Sequence, residues 1–223
     1  MSRPRSWYPL FVDLTDRLCV VVGGGTVGLR KGAALRAAGA RVRLVCLEAR
    51  PETPEWQEVD WRREAYRPEH LDGAMLVVAA ATPELNQRIV ADAQQRGTWV
   101  NAADAPAAGT VYLPAVVRRG GFVLAVGTGG AAPALARQVR QRLEADYDEA
   151  FGRWVALLAE LRPLVQQRVT DSRRRRALWE KLCAWHWLDR LRQADDNQIR
   201  ADMGAEIETE ASNSERSENP DAS

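Results

Sequence analysis

The chain has 223 residues and near-balanced charge, 31 Lys and Arg against 30 Asp and Glu, and its apolar share of 46% supplies a core without disulfides. A net charge of +1 argues against the protein-wide field that nucleic-acid binding uses. Cys19, Cys46 and Cys183 are too widely spaced for a zinc cluster, and no run reads as a signal peptide or membrane span, so a soluble, cytoplasmic protein with reduced thiols is expected.

After a short segment with aromatic residues, Leu18–Val22 is an unbroken apolar run that enters three glycines and then a helical pattern over roughly 27–38. Gly23-x-Gly25-x-x-Gly28 is the spacing that turns a backbone sharply beside a pyrophosphate and packs a helix closely on a strand. The helix start would offer free N–H groups to the phosphates. RVRLVCLE reads as a second strand ending at Glu48, which lies where such units place a ribose-binding carboxylate. That acid would repel a 2′-phosphate, so NAD is expected over NADP, although Arg50 stands close by.

ARPETPEWQ then reads as a Pro-rich loop, VDWRREAY as a polar strand-like crossing and AMLVVAAA as a buried strand. PELNQRIVADAQQRG is a helix opened by Pro83 and closed by Gly97, and TWVNAADAP is a strand leading into a loop. Alternating strands and helices imply a mostly parallel α/β sheet of Rossmann type. Asp104 falls at the carboxyl edge of that sheet. It could take a proton while a nicotinamide takes a hydride, or simply close an Asx turn before Pro106.

Two strand-like runs flank the Arg118–Gly121 turn. Gly127-Thr128-Gly129-Gly130 then precedes a helix with Pro133 near its first turn, which reads equally as an anion site or an ordinary connection. From Asp148 to about Gln193 the chain reads as two helices, one carrying Trp154, Leu157, Leu158, Leu161 and Leu164, the other Leu178, Leu182, Trp185 and Leu188. Thr170, Asp171 and Ser172 are N-cap candidates between them. Arg173–Arg176 reads as a solvated face or a surface that binds the acidic tail rather than one anion site, because neighbours on a helix diverge. Trp179, Trp185 and Trp187 read as helix-packing residues. From Asp195 onward acids dominate among Ser, Asn and Ala, and disorder is expected.

YPLFVDLTDRLCVVVGGGTVGLRKGAALRAAGARV, NAADAP and LPAVVRRGGFVLAVGTGGAAPALARQVRQRLE together resemble the siroheme synthase N-terminal module, the precorrin-2 dehydrogenase and sirohydrochlorin ferrochelatase family. LAELRPLVQQRV and RRRALWEKL extend the likeness more weakly, so that it covers roughly residues 8–190. The resemblance implies an NAD-binding Rossmann domain over 1–115, a small α/β dimerisation region over 116–150 and an all-helical region over 151–194, before the acidic tail of 195–223. It implies a homodimer that oxidises precorrin-2, a tetrapyrrole, to sirohydrochlorin with NAD, and in some members ferrous iron insertion as well. Carried over by position, Thr26 and Val27 lie on the phosphate side of the cofactor and Leu47 and Glu48 on its adenosine side. Asp104 matches the catalytic aspartate, proposed as general base, while Thr128, Arg118, Arg119 and Arg137 become anchors for substrate carboxylates. No resident metal is implied, and nothing here resembles the fused uroporphyrinogen methyltransferase.

Two departures stand out. Ala79–Pro83 reads A-A-A-T-P where the family often has A-A-T-D, and Ala102 and Ala103 replace branched residues before Asp104. A rival reading is a regulatory module that binds NAD and catalyses nothing, for which Asp104 would be dispensable.

Overall fold

A computed structural model describes residues 6–49 and 53–218. The chain divides into two compact units, Met1–Leu113 with Gly127–Pro133 and Pro114–Val126 with Ala134–Ser223.

The first unit alternates strand and helix as the apolar periodicity requires: β1 (Leu18–Val22), α1 (Thr26–Ala37), β2 (Arg41–Cys46), β3 (Asp60–Arg63), β4 (Leu76–Ala79), α2 (Pro83–Gln95) and β5 (Trp99–Ala102). The strands form one parallel sheet in the order β3-β2-β1-β4-β5. Parallel strands covered on both faces must be apolar throughout, and β1 and β4 are buried along almost their whole length. Val20, Val22, Val77 and Val100 pack with Ile89 and Ala93 of α2 on one face. Cys19, Val21, Leu44 and Val78 pack with Leu35 of α1 and Trp56 on the other. Strand order reverses between β1 and β4, and such a reversal opens a crevice at the carboxyl ends of the strands. Thr82 caps α2 by accepting the Leu85 N–H at 3.4 Å, and Gly97, at φ +66°, ends that helix region as expected.

In the second unit β6 (Ala115–Arg119) and β7 (Phe122–Val126) form an antiparallel hairpin, with Gly120 and Gly121 as its turn. The helices are α3 (Pro133–Asp146), α4 (Glu149–Arg168), α5 (Ser172–Leu182), α6 (His186–Leu191) and α7 (Asp196–Glu218). Asp171 is the cap chosen from the three candidates, its Oδ1 accepting the Arg174 N–H at 2.8 Å. Trp187 is buried among the helices and Trp179 packs against the same core, whereas Trp185 is 59% exposed.

Two expectations are corrected. The apolar period through Leu178–Leu188 is not one helix: it breaks at Cys183, and the Trp187 indole N–H bonds the Lys181 carbonyl at 3.1 Å across the break. The acidic segment is not disordered over 196–218; it forms α7. Ile199, Met203, Ile207 and Ala211 recur every fourth residue, so a low apolar content is concentrated on one buried stripe. The first three join the core built by Leu157, Leu161, Leu178, Leu182 and Leu188. The acids stand outside that stripe and meet basic residues of the other helices, Asp196 with Arg153 at 3.0 Å, Glu210 with Lys181 at 3.4 Å, and Asp202 and Glu208 with Arg190 and Arg168. Residues 219–223 of the expected tail lie outside the described residues.

Met203 is fully buried, so Met203→Ala should cost about 2–5 kcal/mol of stability. Glu206→Ala, on the exposed side of the same helix, should stay within about 0.5 kcal/mol. Denaturant unfolding of both variants checks this; equal effects would mean that α7 is not docked.

Candidate active site

The site is built at the carboxyl edge of the sheet, starting from the bend between β1 and α1. Gly23 has φ +115°, and a Cβ there would lie 2.2 Å from the Ala80 carbonyl oxygen. A Cβ on Gly28 would lie 2.0 Å from the Gly23 carbonyl oxygen. Both positions therefore exclude any side chain, and their absence lets α1 begin directly against the end of β1. Gly25 is the N-cap of α1, without a side-chain cap and without an acid in the first turn. The Leu29 N–H bonds the Gly25 carbonyl at 3.0 Å, which leaves Thr26, Val27 and Gly28 as the first-turn residues ahead of it. A Cβ on Gly25 would meet nothing within 4 Å. The bend thus pairs a helix start with open space in front of it, the geometry that accepts an anion.

Leu47 and Glu48 follow directly on β2. A Cβ on Gly24 would lie 2.9 Å from the Glu48 Oε2 and 2.9 Å from the Cys46 Sγ, so the carboxylate lies against the bend. Burial pushes the Cys46 thiol up to about 11, which keeps it neutral there. Val27 and Leu47 are 41% and 69% exposed, leaving apolar surface on either side of the bend. Arg50 lies outside the described residues. A different cation is placed here: the register sets Arg63, at the end of β3, beside Cys46, and its Nε donates to the Leu47 carbonyl at 3.3 Å.

The loop after β4 closes the other side of the bend through Ala80. Asn86, 2% exposed, accepts the Ala81 N–H at 2.9 Å and donates to the Ala81 carbonyl at 3.3 Å. The A-A-A-T-P departure therefore leaves a loop whose backbone is fixed by this asparagine.

Asp104 follows β5, exposed at the same edge. Its loop is tied down on several sides. Ala103 N–H bonds the Ala79 carbonyl at 2.9 Å, Thr110 N–H bonds the Val100 carbonyl at 2.8 Å, and buried Asn101 donates to the Val111 carbonyl at 3.2 Å. Gly23 and Ala103 thus approach the end of β4 from its two sides. No backbone N–H donates to the Asp104 carboxylate among the described residues, so the alternative Asx turn is not made there.

Thr128 closes its own turn, its Oγ1 accepting the Ala132 N–H at 3.2 Å. A Cβ on Gly130 would lie 3.8 Å from Pro106, so this turn and the Asp104 loop are neighbours within the first unit. Arg118, Arg119 and Arg137 belong to the second unit. Arg118 and Arg137 are exposed, whereas Arg119 is engaged by Glu149 at 3.1 Å and by the Glu144 carbonyl at 3.2 Å. In the Arg173–Arg176 run, Arg175 bonds the Val169 carbonyl at 3.1 Å and Arg176 pairs with Glu180 at 3.4 Å, as a helix face does. Sequence reasoning missed Gly24, Asn86 and Arg63. Glycine in the middle of the triplet was the visible signal for the first; the other two act through contacts that no spacing announces.

The fold and the bend define a dinucleotide-binding protein of Rossmann type. Residues 10–115 match a family model described as putative NAD(P)-binding, and residues 150–207 one described as the sirohaem synthase dimerisation region. The second interval falls on α4–α6 and the first half of α7. Siroheme synthase of Nitrosococcus oceani is 33% identical over 206 residues, covering 91% of this chain and 44% of that protein. Siroheme synthase of Chromobacterium violaceum is 36% identical, covering 90% and 44%. That of Ectopseudomonas mendocina is 42% identical, covering 77% and 38%. The solved structure of SirC, precorrin-2 dehydrogenase, matches with a TM-score of 0.71 at 25% identity, over 91% of this chain and 100% of that one. The chain is a siroheme synthase homologue, and it spans less than half the length of these curated relatives. Among the described residues, no helix is long and apolar enough to cross a membrane.

The bend separates packing from binding. Gly28→Ala should lower the melting temperature, because backbone must move to admit the methyl group. Gly25→Ala has room, so it should leave the melting temperature within about 2 °C while weakening NAD binding, because the methyl group enters the anion space. Thermal unfolding beside calorimetric NAD titration reads both; undiminished binding by Gly25→Ala would count against the assigned phosphate position.

Proposed function

We propose that this chain oxidises precorrin-2 to sirohydrochlorin, with NAD as the oxidant, on the route to siroheme. The observation that carries the proposal is the convergence of two loops on the end of β4, the glycine bend at Ala80 and the Asp104 loop at Ala79. Gly23, Gly25 and Gly28 form the cradle, the first turn at Thr26 and Val27 takes the diphosphate, and Leu47 and Glu48 take the adenosine. When bound, NAD supplies a hydride acceptor.

Asp104 acts as the base. Oxidation removes a hydride and a proton from precorrin-2, and the carboxylate takes the proton as the hydride departs. Being exposed, the carboxyl group can release that proton to solvent. Thr128 keeps its hydroxyl proton for a substrate carboxylate, since its oxygen is the acceptor in the bond from Ala132. Arg118 and Arg137 offer guanidinium groups to further carboxylates of the tetrapyrrole. Arg119 is a weaker choice for this role, because Glu149 already holds it. The likeness of residues 150–207 to a dimerisation region supports a homodimer.

Anaerobic mixing with precorrin-2 and NAD should produce NADH absorbance. Asp104→Asn should lower kcat by roughly 100-fold or more while NAD binding is retained. Turnover unaffected by this substitution would refute the role of Asp104, and would favour a site in which NAD binding alone matters. Adding ferrous iron to the same mixture reads iron insertion as siroheme formation.

A further inference from the structure

We infer that Arg63 is the second member of a cofactor-selecting pair with Glu48, placed to receive a 2′-phosphorylated dinucleotide once the acid is removed. The inference rests on the dinucleotide reading above and extends it to the choice between NAD and NADP.

Glu48 projects onto the bend, its Oε2 2.9 Å from where a Cβ on Gly24 would stand. A carboxylate there accepts the ribose 2′-hydroxyl and repels a phosphate in its place. Arg63 is at the carboxyl end of the adjacent strand, in register with Cys46, two residues before Glu48. One donor, Nε, is spent on the Leu47 carbonyl at 3.3 Å, and this bond fixes the guanidinium against the backbone that carries Glu48. A guanidinium has five N–H donors, so the terminal groups stay available for a doubly charged oxyanion.

The neighbouring arginines differ. Arg43 and Arg62 both pair with Asp60, at 2.7 and 2.6 Å, and their charge is thereby compensated. Arg63 forms no ion pair among the described residues, Glu48 included. Asp60 thus compensates Arg43 and Arg62 and leaves Arg63 at the adenosine end of the site. Glu48 and Arg63 thus both stand beside Cys46 and Leu47 without forming an ion pair, and in the unaltered chain the acid sets the selectivity.

Calorimetric titration of the full chain with NAD and with NADP tests this without any turnover. Glu48→Ser should shift the ratio of the two dissociation constants toward NADP by about tenfold or more, and Glu48→Ser/Arg63→Ala should lose most of that gain. If Glu48→Ser fails to fold, Glu48→Gln removes the charge at constant size and carries the same expectation. A gain that survives Arg63→Ala, or no gain in either acid variant, overturns the inference while leaving the dinucleotide site standing. A wild-type chain that binds neither dinucleotide overturns both.

Discussion

The carbonyl oxygen of Gly23 and the α-carbon of Gly28 stand so close that a methyl group on the latter would lie 2.0 Å from the former. This contact brings the first turn of α1 onto the residue that follows β1. Gly23 then folds back at φ +115°, with Ala80 pressed against it. A strand end, a helix start and a neighbouring loop are therefore packed backbone against backbone, while the space before Gly25 stays open. The macrodipole and the free N–H groups of the helix point toward that open side, an arrangement suited to an anion. Glu48 and the Asp104 loop are arranged around it by strand register, since β2 and β4 flank β1 and β5 follows β4.

Polar residues inside the sheet edge serve this arrangement. Asn86 clamps the backbone of Ala81, and Asn101 holds the returning limb of the Asp104 loop at Val111. Each is nearly fully buried; Asn86 offsets its desolvation through both ends of its amide, whereas Asn101 is bonded through its nitrogen alone. Their bonds go to loop backbone rather than to other side chains, which is how a loop can present an exposed carboxylate in a defined place. In the second unit the same economy appears as charge: the overall balance of +1 conceals acids gathered on α7 and arginines spread over the helices it packs on.

Much of the first unit was legible because its signals are local. Apolar runs marked β1, β2, β4 and β5, whereas β3 showed only as a polar strand-like crossing, and the triplet at Gly23–Gly25 pointed to a dinucleotide ligand. Asp104 was ambiguous on residues alone, for Asp-x-Pro serves a turn as well as a base, and the resemblance to known sequences made it the first candidate for chemistry. What escaped depends on distance along the chain. Arg63 reaches Leu47 only through the pairing of β3 with β2, and Asn86 acts on a loop that its own helix follows. The segment after Asp195 was misjudged because its composition is acidic, while the decisive feature was placement: Ile199, Met203 and Ile207 fall on one stripe. The break at Cys183 escaped because apolar spacing continues across it, and the indole of Trp187 satisfies the interrupted backbone.

Where a dinucleotide's diphosphate rests on this sheet edge can be read from a crystal structure of the chain soaked with NAD. Diphosphate density is expected over Gly24 and Gly25 at the start of α1, with the ribose at Glu48 and the nicotinamide toward Asp104. Density for the dinucleotide at any other edge of the sheet, with the glycine bend vacant, would contradict it.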